Sequence, residues 1–389
     1  MNQKIKLVQR YVVYVLFFFL PTWRLIHNIC LALLFVLPPY KFEIKKKTLL
    51  IGTPVVFLVY LLINALAQGN FNVELSNILK IIPIILVPFV LLKDDEKTIE
   101  NALLVLLIGI LSMQLISIYG ITNYFLTSDK IGRDLTNYVK LNEILRFERP
   151  YLGFFSAINI LLSYIFFKKY KKWYFVITAI ISLCFIIYIS ARLALILAGI
   201  YIVWILWREM KNLKLKVIVF GLMGLTVGGV TLNYNSSIKK RFSQIKEDSR
   251  TIIWGGAAEQ LSSSKDYLIG NSSLKQTRQY LLEYYKRYEH FNDIEIRNRF
   301  IKNNYNTHNQ FLNELVRGGF IGLILFCLPI IYGFFINFKL KNYTNILLLI
   351  SLSMFMLVEN LLERQIGIYT IGIVLTITNF KNIFYFKEK

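Results

Sequence analysis

Arg250–Phe326 reads RTIIWGGAAEQLSSSKDYLIGNSSLKQTRQYLLEYYKRYEHFNDIEIRNRFIKNNYNTHNQFLNELVRGGFIGLILF and is the one long polar stretch in a chain otherwise made of apolar runs. It closes on Thr307-His308-Asn309-Gln310, just before another apolar run begins. A segment this polar between membrane-type runs has to lie outside the bilayer, so chemistry is expected at a membrane rim.

Outward from that stretch the chain is strongly apolar. Its 389 residues are 56% hydrophobic and 15% aromatic, and runs close to the ~20 residues that a helix needs to cross a bilayer recur from end to end. They fall at about 11–22, 25–40, 48–67, 75–92, 99–120, 150–167, 173–190, 191–207, 214–232, 318–337, 344–361 and 365–380. The expected fold is therefore all-α: a polytopic integral membrane protein of about 12 transmembrane helices with one large, partly helical external loop. The chain divides into nine spans over 1–232, the external loop over 233–317, and three spans with a short tail over 318–389. The Lys4, Lys6, Arg10 start followed by Tyr11–Leu20 looks like a signal peptide, but Pro21-Thr22-Trp23-Arg24 offers no small-residue cleavage site, so it is read as a retained first span.

Charge sets the orientation. The formal net charge is +22, and Lys45-Lys46-Lys47, Lys93 with Lys97, Lys168 to Lys172, Arg208 to Lys216, Lys339-Lys341 and Lys387-Lys389 fall on one side when spans are counted alternately. The intervening short loops, Gln68–Glu74, Ser190–Arg192 and Glu363–Gln365, carry little charge. Basic short loops stay cytoplasmic, which puts both termini inside and 233–317 outside. The external loop is itself basic, but loops longer than about 60 residues translocate largely regardless of charge. A second external loop, about 121–149, is expected to cover the same site. Because the basic residues are dispersed in short clusters rather than forming one stripe, no nucleic-acid partner is expected. Cys30, Cys184 and Cys327 all sit in apolar runs and are read as packing residues.

His308 is one of three histidines and stands where the loop meets the tenth run. Histidine titrates near neutrality and is the usual side chain for taking a proton from an alcohol; the alternative is a helix-entry residue. His290 is read as surface and His27 as an interfacial residue at the hinge between the first two spans. Arg192 follows Ser190-Ala191 at the outer junction of two spans, where an always-charged guanidinium is costly unless it faces a cavity, an anion or the headgroups. Arg250 opens a loop helix beside Asp248. Arginines near one histidine would make a bidentate clamp for a pyrophosphate. Lys80, more than a turn inside the fourth run, either reaches the same cavity or snorkels. Glu359 and Arg364 flank the outer end of the eleventh run, where an ion pair with a neighbouring helix is the simpler role. No GxxxxGK[ST], HExxH, GxSxG or external Asp-x-Asp motif occurs, so neither a metal nor a cofactor is expected.

NYNTHNQFLNELVRGGFIGLILF (304–326) resembles the signature of the O-antigen ligase and O-antigen polymerase superfamily, in which a His-Asn pair closes a large external loop and a Gly-rich helix start follows. RPYLGFF (149–155), SARLALILAG (190–199), DSRTIIWGGA (248–257) and ENLLERQIG (359–367) resemble its further motifs in order. The resemblance spans roughly 145–370. Ala191 splits the usual Ser-Arg pair, and IGNSS (269–273) lacks the second glycine of the family's Gly-x-Gly turn. It implies a glycosyltransferase of the bacterial inner membrane that uses neither nucleotide sugar nor metal. The donor would be a glycan on undecaprenyl pyrophosphate, and the acceptor lipid A-core in a ligase or a second lipid-linked glycan in a polymerase, with membrane lipids as further partners. By the same resemblance His308 would activate or orient the acceptor hydroxyl, and Arg192 and Arg250 would hold the pyrophosphate; Lys80, Arg149, Tyr151, Asn309, Glu359 and Arg364 are expected to contact substrate. The ligase is the expected activity, because one external loop is much larger than the others. A polymerase, a protein-glycan transferase and a lipid-linked glycan transporter are the alternatives, the last expected to carry charges within several spans.

Overall fold

The computed structural model describes residues 3–37, 48–92, 94–127, 143–210, 249–263, 267–289, 291 and 294–380. These residues are helical, with no strand among them. In order they form α1 (Gln3–Phe19), α2 (Arg24–Val36), α3 (Thr48–Ala67), α4 (Phe71–Ile81), α5 (Pro83–Leu91), α6 (Glu96–Thr127), α7 (Arg149–Tyr170), α8 (Tyr174–Tyr188) and α9 (Arg192–Glu209). There follow α10 (Ser249–Ser263), α11 (Leu274–Arg287), α12 (Ile294–Asn303), α13 (Gln310–Lys339), α14 (Tyr343–Met356), a 3-10 turn (Leu361–Glu363) and α15 (Gln365–Ile377). Five segments are long and apolar enough to cross a membrane: 50–67, 71–91, 96–124, 149–170 and 310–339. Shorter apolar helices cover 25–36, 174–188, 343–356 and 365–377. The chain is an α-helical integral membrane protein.

The ninth expected span (214–232), the 233–248 start of the external loop, residues 128–142 of the second loop and His290 lie outside the described residues. Elsewhere each apolar run is occupied by helix, with informative departures. The fourth run is two helices, because Pro83 has no N–H to give and the chain turns at Ile82. Lys80 consequently sits in the last turn of α4 and is exposed. His27 is not interfacial but wholly buried: its Nε2 is 2.8 Å from the Phe19 carbonyl at the end of α1, which also accepts from Thr22 and Trp23 N–H, and its ring lies 5.0 Å from that of Tyr369. Cys184 is exposed rather than packed. Glu74, read as part of a lightly charged loop, is wholly buried in the first turn of α4.

Helix α7 is the central pillar. From Tyr151 to Ser163 every residue is buried, against α6, α8 and α9. Gly153 makes that possible, since a Cβ there would lie 2.6 Å from the Cβ of Ala191 at the start of α9. The buried polar side chains of this packing bond one another, as interhelical contacts in lipid require: Gln114 Nε2 donates to Ser156 and Ser182 at 2.8 and 2.9 Å, and Asn159 to Ser182 at 2.6 Å. Twenty-two residues at 1.5 Å each make α7 about 33 Å long, enough for a hydrocarbon layer of ~30 Å. The bundle's ends differ. At the C-terminal end of α7, Lys168 and Lys169 pair with Glu209 and Glu100 at 2.8 and 2.6 Å. At its N-terminal end, Glu148 pairs with Arg364 at 3.2 Å.

Helices α10 to α12 form a second, smaller core on the first turns of α13, built on Ile253, Leu281, Tyr285, Phe300 and Val316. They are joined to the bundle by a crossing. Helix α13 breaks at Gly319 (φ 62°, ψ −166°), a region essentially reserved for glycine, and residues 267–272 run through the break. Asn271 and Ser272 N–H donate to the Val316 and Arg317 carbonyls at 3.0 and 2.8 Å, while Phe320 and Ile321 N–H donate to the Tyr267 and Leu268 carbonyls at 3.0 and 3.1 Å. Both half-helices are thus capped by the same irregular segment. Irregular backbone at membrane depth survives only when buried in protein with its polar groups paired. The remaining carbonyls are met from one face of α3, at four-residue spacing: Tyr60 Oη donates to Gly318 O (2.6 Å), Asn64 Nδ2 to Ile269 O (2.6 Å) and Gln68 Nε2 to Gly270 O (3.0 Å). Ser272 holds the position of the missing second glycine in a left-handed conformation (φ 59°), its hydroxyl accepting from Asn70 Nδ2 at 2.7 Å. Asn64→Leu is expected to strand the Ile269 carbonyl at a cost of about 1–3 kcal/mol, read as lowered thermal stability of the detergent-solubilised protein.

Candidate active site

Two short segments about fifty residues apart face each other side chain by side chain where α12 meets α13 and α14 meets α15. Asn306 Nδ2 donates to Glu363 at 3.0 Å, and Thr307 Oγ1 shares a 3.0–3.1 Å hydrogen bond with the Asn360 amide. His308 Nδ1 lies 3.7 Å from Glu359 Oε2, and Gln310 Oε1 accepts from Leu362 N–H at 2.8 Å. Asn309 caps α13 by accepting from Leu312 N–H at 3.1 Å. The sequence makes this local shape easy: Asn is a preferred N-cap, and His308 takes a left-handed φ of 44°, for which His is enriched among non-glycine residues.

His308 is 31% exposed at its side chain. Its Nδ1 edge faces Glu359 and its ring is 5.9 Å from Tyr305, which leaves Nε2 for an incoming group. Behind it, Trp254 Nε1 of α10 donates to the Thr307 carbonyl at 3.0 Å. Arg250 lies one helical turn before Trp254, hence on the same face of α10. Arg364 reaches across to Glu148, the residue before α7. Tyr151 is buried against Phe355, ring centroids 5.0 Å apart, and lines a 670 Å³ cavity with Glu148, Arg146 and Trp23. Arg149 is half-buried at the first position of α7. Arg192 is exposed at the first position of α9, after Ser190 in a left-handed conformation (φ 50°). Lys80 lines a separate 550 Å³ cleft whose rim includes Glu363.

Of the residues singled out from the sequence, the structure therefore brings His308 to Glu359 and sets Arg250 one turn from Trp254, which bonds the Thr307 carbonyl, while Arg364 pairs with Glu148, which lines one cavity with Tyr151. No contact among the described residues ties Arg192 to His308; it stands beside α7 through the Ala191–Gly153 packing. Asn309 spends its side-chain oxygen on a helix cap. Thr307, Asn360, Glu363, Trp254 and Gln310 were missed, although all five lie in stretches whose pattern had been noted. Arg278 of α11, which pairs with Glu363, was missed too. Among the described residues no three His, Cys, Asp or Glu side chains converge as metal ligands would.

Residues 177–327 match the model of the family described as O-antigen ligase. The match includes Arg192, Arg250, His308 and Asn309 and ends inside α13 beyond its break. No curated protein matches the chain.

Proposed function

We propose, from the match of residues 177–327 to the family described as O-antigen ligase, that this chain is a ligase of the O-antigen ligase and polymerase superfamily, moving a glycan from undecaprenyl pyrophosphate to an acceptor hydroxyl, that of lipid A-core, at the outer face of a bacterial inner membrane. The observation that carries this reading is the pairing of 306–310 with 359–364, which holds His308 against Glu359 and leaves Nε2 open. In the proposed step the acceptor oxygen attacks the anomeric carbon of the donor sugar. Its proton passes to His308 Nε2, the anomeric carbon–oxygen bond to the pyrophosphate breaks, and the leaving pyrophosphate takes its charge to Arg192 and Arg250. Glu359 would hold the ring and offset the imidazolium formed in transfer. The energy comes from the lipid pyrophosphate itself.

The proposed topology has about twelve spans, both termini cytoplasmic and 233–317 external as the catalytic segment. The lysine-rich end of α7 lies opposite the end that carries Glu148 and Arg364, as basic inner loops require. A polymerase joining lipid-linked repeats uses the same groups, so one experiment separates the two. A deletion strain is complemented with wild type, Arg192→Ala or Arg250→Ala at matched membrane levels, and surface and lipid-linked glycans are resolved on gels. Loss of every capped band in the deletion strain, with lipid-linked polymer accumulating, is the ligase result. Capped bands that keep a single repeat unit are the polymerase result, and an unaltered ladder rejects both. Each arginine variant is expected to lower transfer by about 10²-fold, the usual loss when a group stabilising developing charge is removed.

A further inference from the structure

The 550 Å³ cleft beside the site lies between α4, α11, α13 and the 361–363 turn, in the ~300–1,000 Å³ range of small-molecule sites. Its floor carries buried charges. Arg317 is 1% exposed and pairs with Glu74 Oε2 at 3.1 Å; Glu314, one turn before it on α13, is fully buried. Glu74 lies behind the floor and is well supplied, since Ser273 Oγ and Leu274 N–H also donate to it at 3.1 and 2.9 Å. The other two are only half supplied. Glu314 Oε1 accepts from Gln310 Nε2 at 2.7 Å and from Asn313 Nδ2 at 3.3 Å, but Arg317 Nε and Nη1 and Glu314 Oε2 have no hydrogen-bond partner among the described residues, and Nη1 and Oε2 stand 4.0 Å apart. Buried polar atoms of charged groups are expensive to leave unpaired, and both residues line a cavity large enough for a ligand.

The donor–acceptor pairing says which chemistry fits. The lining mixes four basic side chains, Lys80, Lys275, Arg278 and Arg317, with three acidic ones, Glu283, Glu314 and Glu363, so an anion at Arg317 would meet the Glu314 carboxylate beside it and a cation at Glu314 would meet Arg317. A group that both accepts and donates at adjacent atoms meets neither penalty, and the vicinal hydroxyls of a sugar ring are such a group. Gln279 on the wall adds an amide of the same dual character, and Asn77 beside it is already held between Glu74 and Lys80 at 3.3 and 3.4 Å. The cleft also shares residues with the active-site pairing: Asn313 Oδ1 is 3.4 Å from Thr307 Oγ1, and Glu363 accepts from Asn306. We propose that this cleft binds a neutral sugar segment of the transferred or accepting glycan, with Arg317 donating to one hydroxyl and Glu314 accepting from its neighbour. The identity of the ligand rests on the glycan-transfer reading above; the site itself rests on the unmatched pair.

The test is binding, kept apart from transfer. Full-length protein in lipid nanodiscs is titrated calorimetrically with short oligosaccharides cut by mild acid from the source cell's surface polysaccharide, with and without inorganic pyrophosphate. Wild type is expected to bind and pyrophosphate not to displace the sugar. Glu314→Gln and Arg317→Lys are expected to weaken binding at least tenfold. Because either buried change can impair folding, Gln279→Trp at the exposed mouth serves as the second variant: it obstructs the cleft without touching the ion cluster and is expected to abolish binding with the melting temperature unchanged. Absence of binding by wild type, displacement of the sugar by pyrophosphate, or unaltered binding by Gln279→Trp overturns the proposal. Sugar binding by a protein that transfers nothing retains the site and rejects the transferase; wild-type kcat/KM in Gln279→Trp retains the transferase and rejects the site.

Discussion

Replacing His308 with asparagine is expected to abolish transfer while leaving the protein folded. The side chain is partly exposed and touches Glu359 and the Tyr305 ring, so little packing is lost. Asparagine tolerates the left-handed backbone that the residue occupies, which keeps the Asn309 cap and the pairing with 359–364 in place. What disappears is the group proposed to take the acceptor proton, a contribution of about 10²–10⁴-fold in rate. The measurement is capped surface glycan per unit of membrane protein in the complemented deletion strain, with a melting curve of the purified variant beside it. A full glycan ladder at wild-type protein level would remove His308 from the mechanism. A low level with lowered melting temperature would show instead that the histidine is a helix-entry residue.

The second large effect is on folding, at the crossing of α13. Gly319→Ala places a Cβ 2.2 Å from the Leu268 carbonyl carbon and oxygen in a backbone region closed to other residues. The conformation alone costs about 1–3 kcal/mol, and the forced shift of a segment tied by four backbone hydrogen bonds adds about as much again by the usual cost of overpacking. Together these approach the ~5–15 kcal/mol that holds a typical protein folded. Gly318→Ala is the internal control. A Cβ there would find its nearest atom, Tyr60 Cε1, at 3.4 Å, and the variant is expected to behave as wild type. Equal yields and melting temperatures for the two variants would mean that the crossing does not hold the molecule together.

Much of the helical layout is legible because a bilayer imposes a length on every apolar run, and α3, α6, α7 and α13 answer it with no help from partners. Asn309 as a cap is likewise local, written in one residue and its place before Gln310. The pairing of 306–310 with 359–364 is different. Both motifs stand out in the sequence, yet nothing in either states that Asn306 meets Glu363 or that His308 meets Glu359, because that register is set by how α13 and α15 pack. Tyr60, Asn64 and Gln68 did carry a signal, three polar residues at helical spacing on one face of an apolar span, but their purpose depends on a segment two hundred residues away. Glu74 misled for a similar reason, and Arg317 drew no reading. A charge beside an apolar run reads as rim, and only the fold shows that one sits in the first turn of α4 and the other below the break of α13.

The crossing at Gly319 also dictates an order of events during synthesis. Residues 267–272 leave the ribosome before α13 and after α3, so the acceptors and donors they need belong to elements made at different times. Until α13 is complete, the α3 amides have no carbonyls held in place to bond, and until 359–364 follows, His308 has no Glu359. The arrangement proposed for catalysis therefore cannot exist on a nascent chain whose last helices are missing.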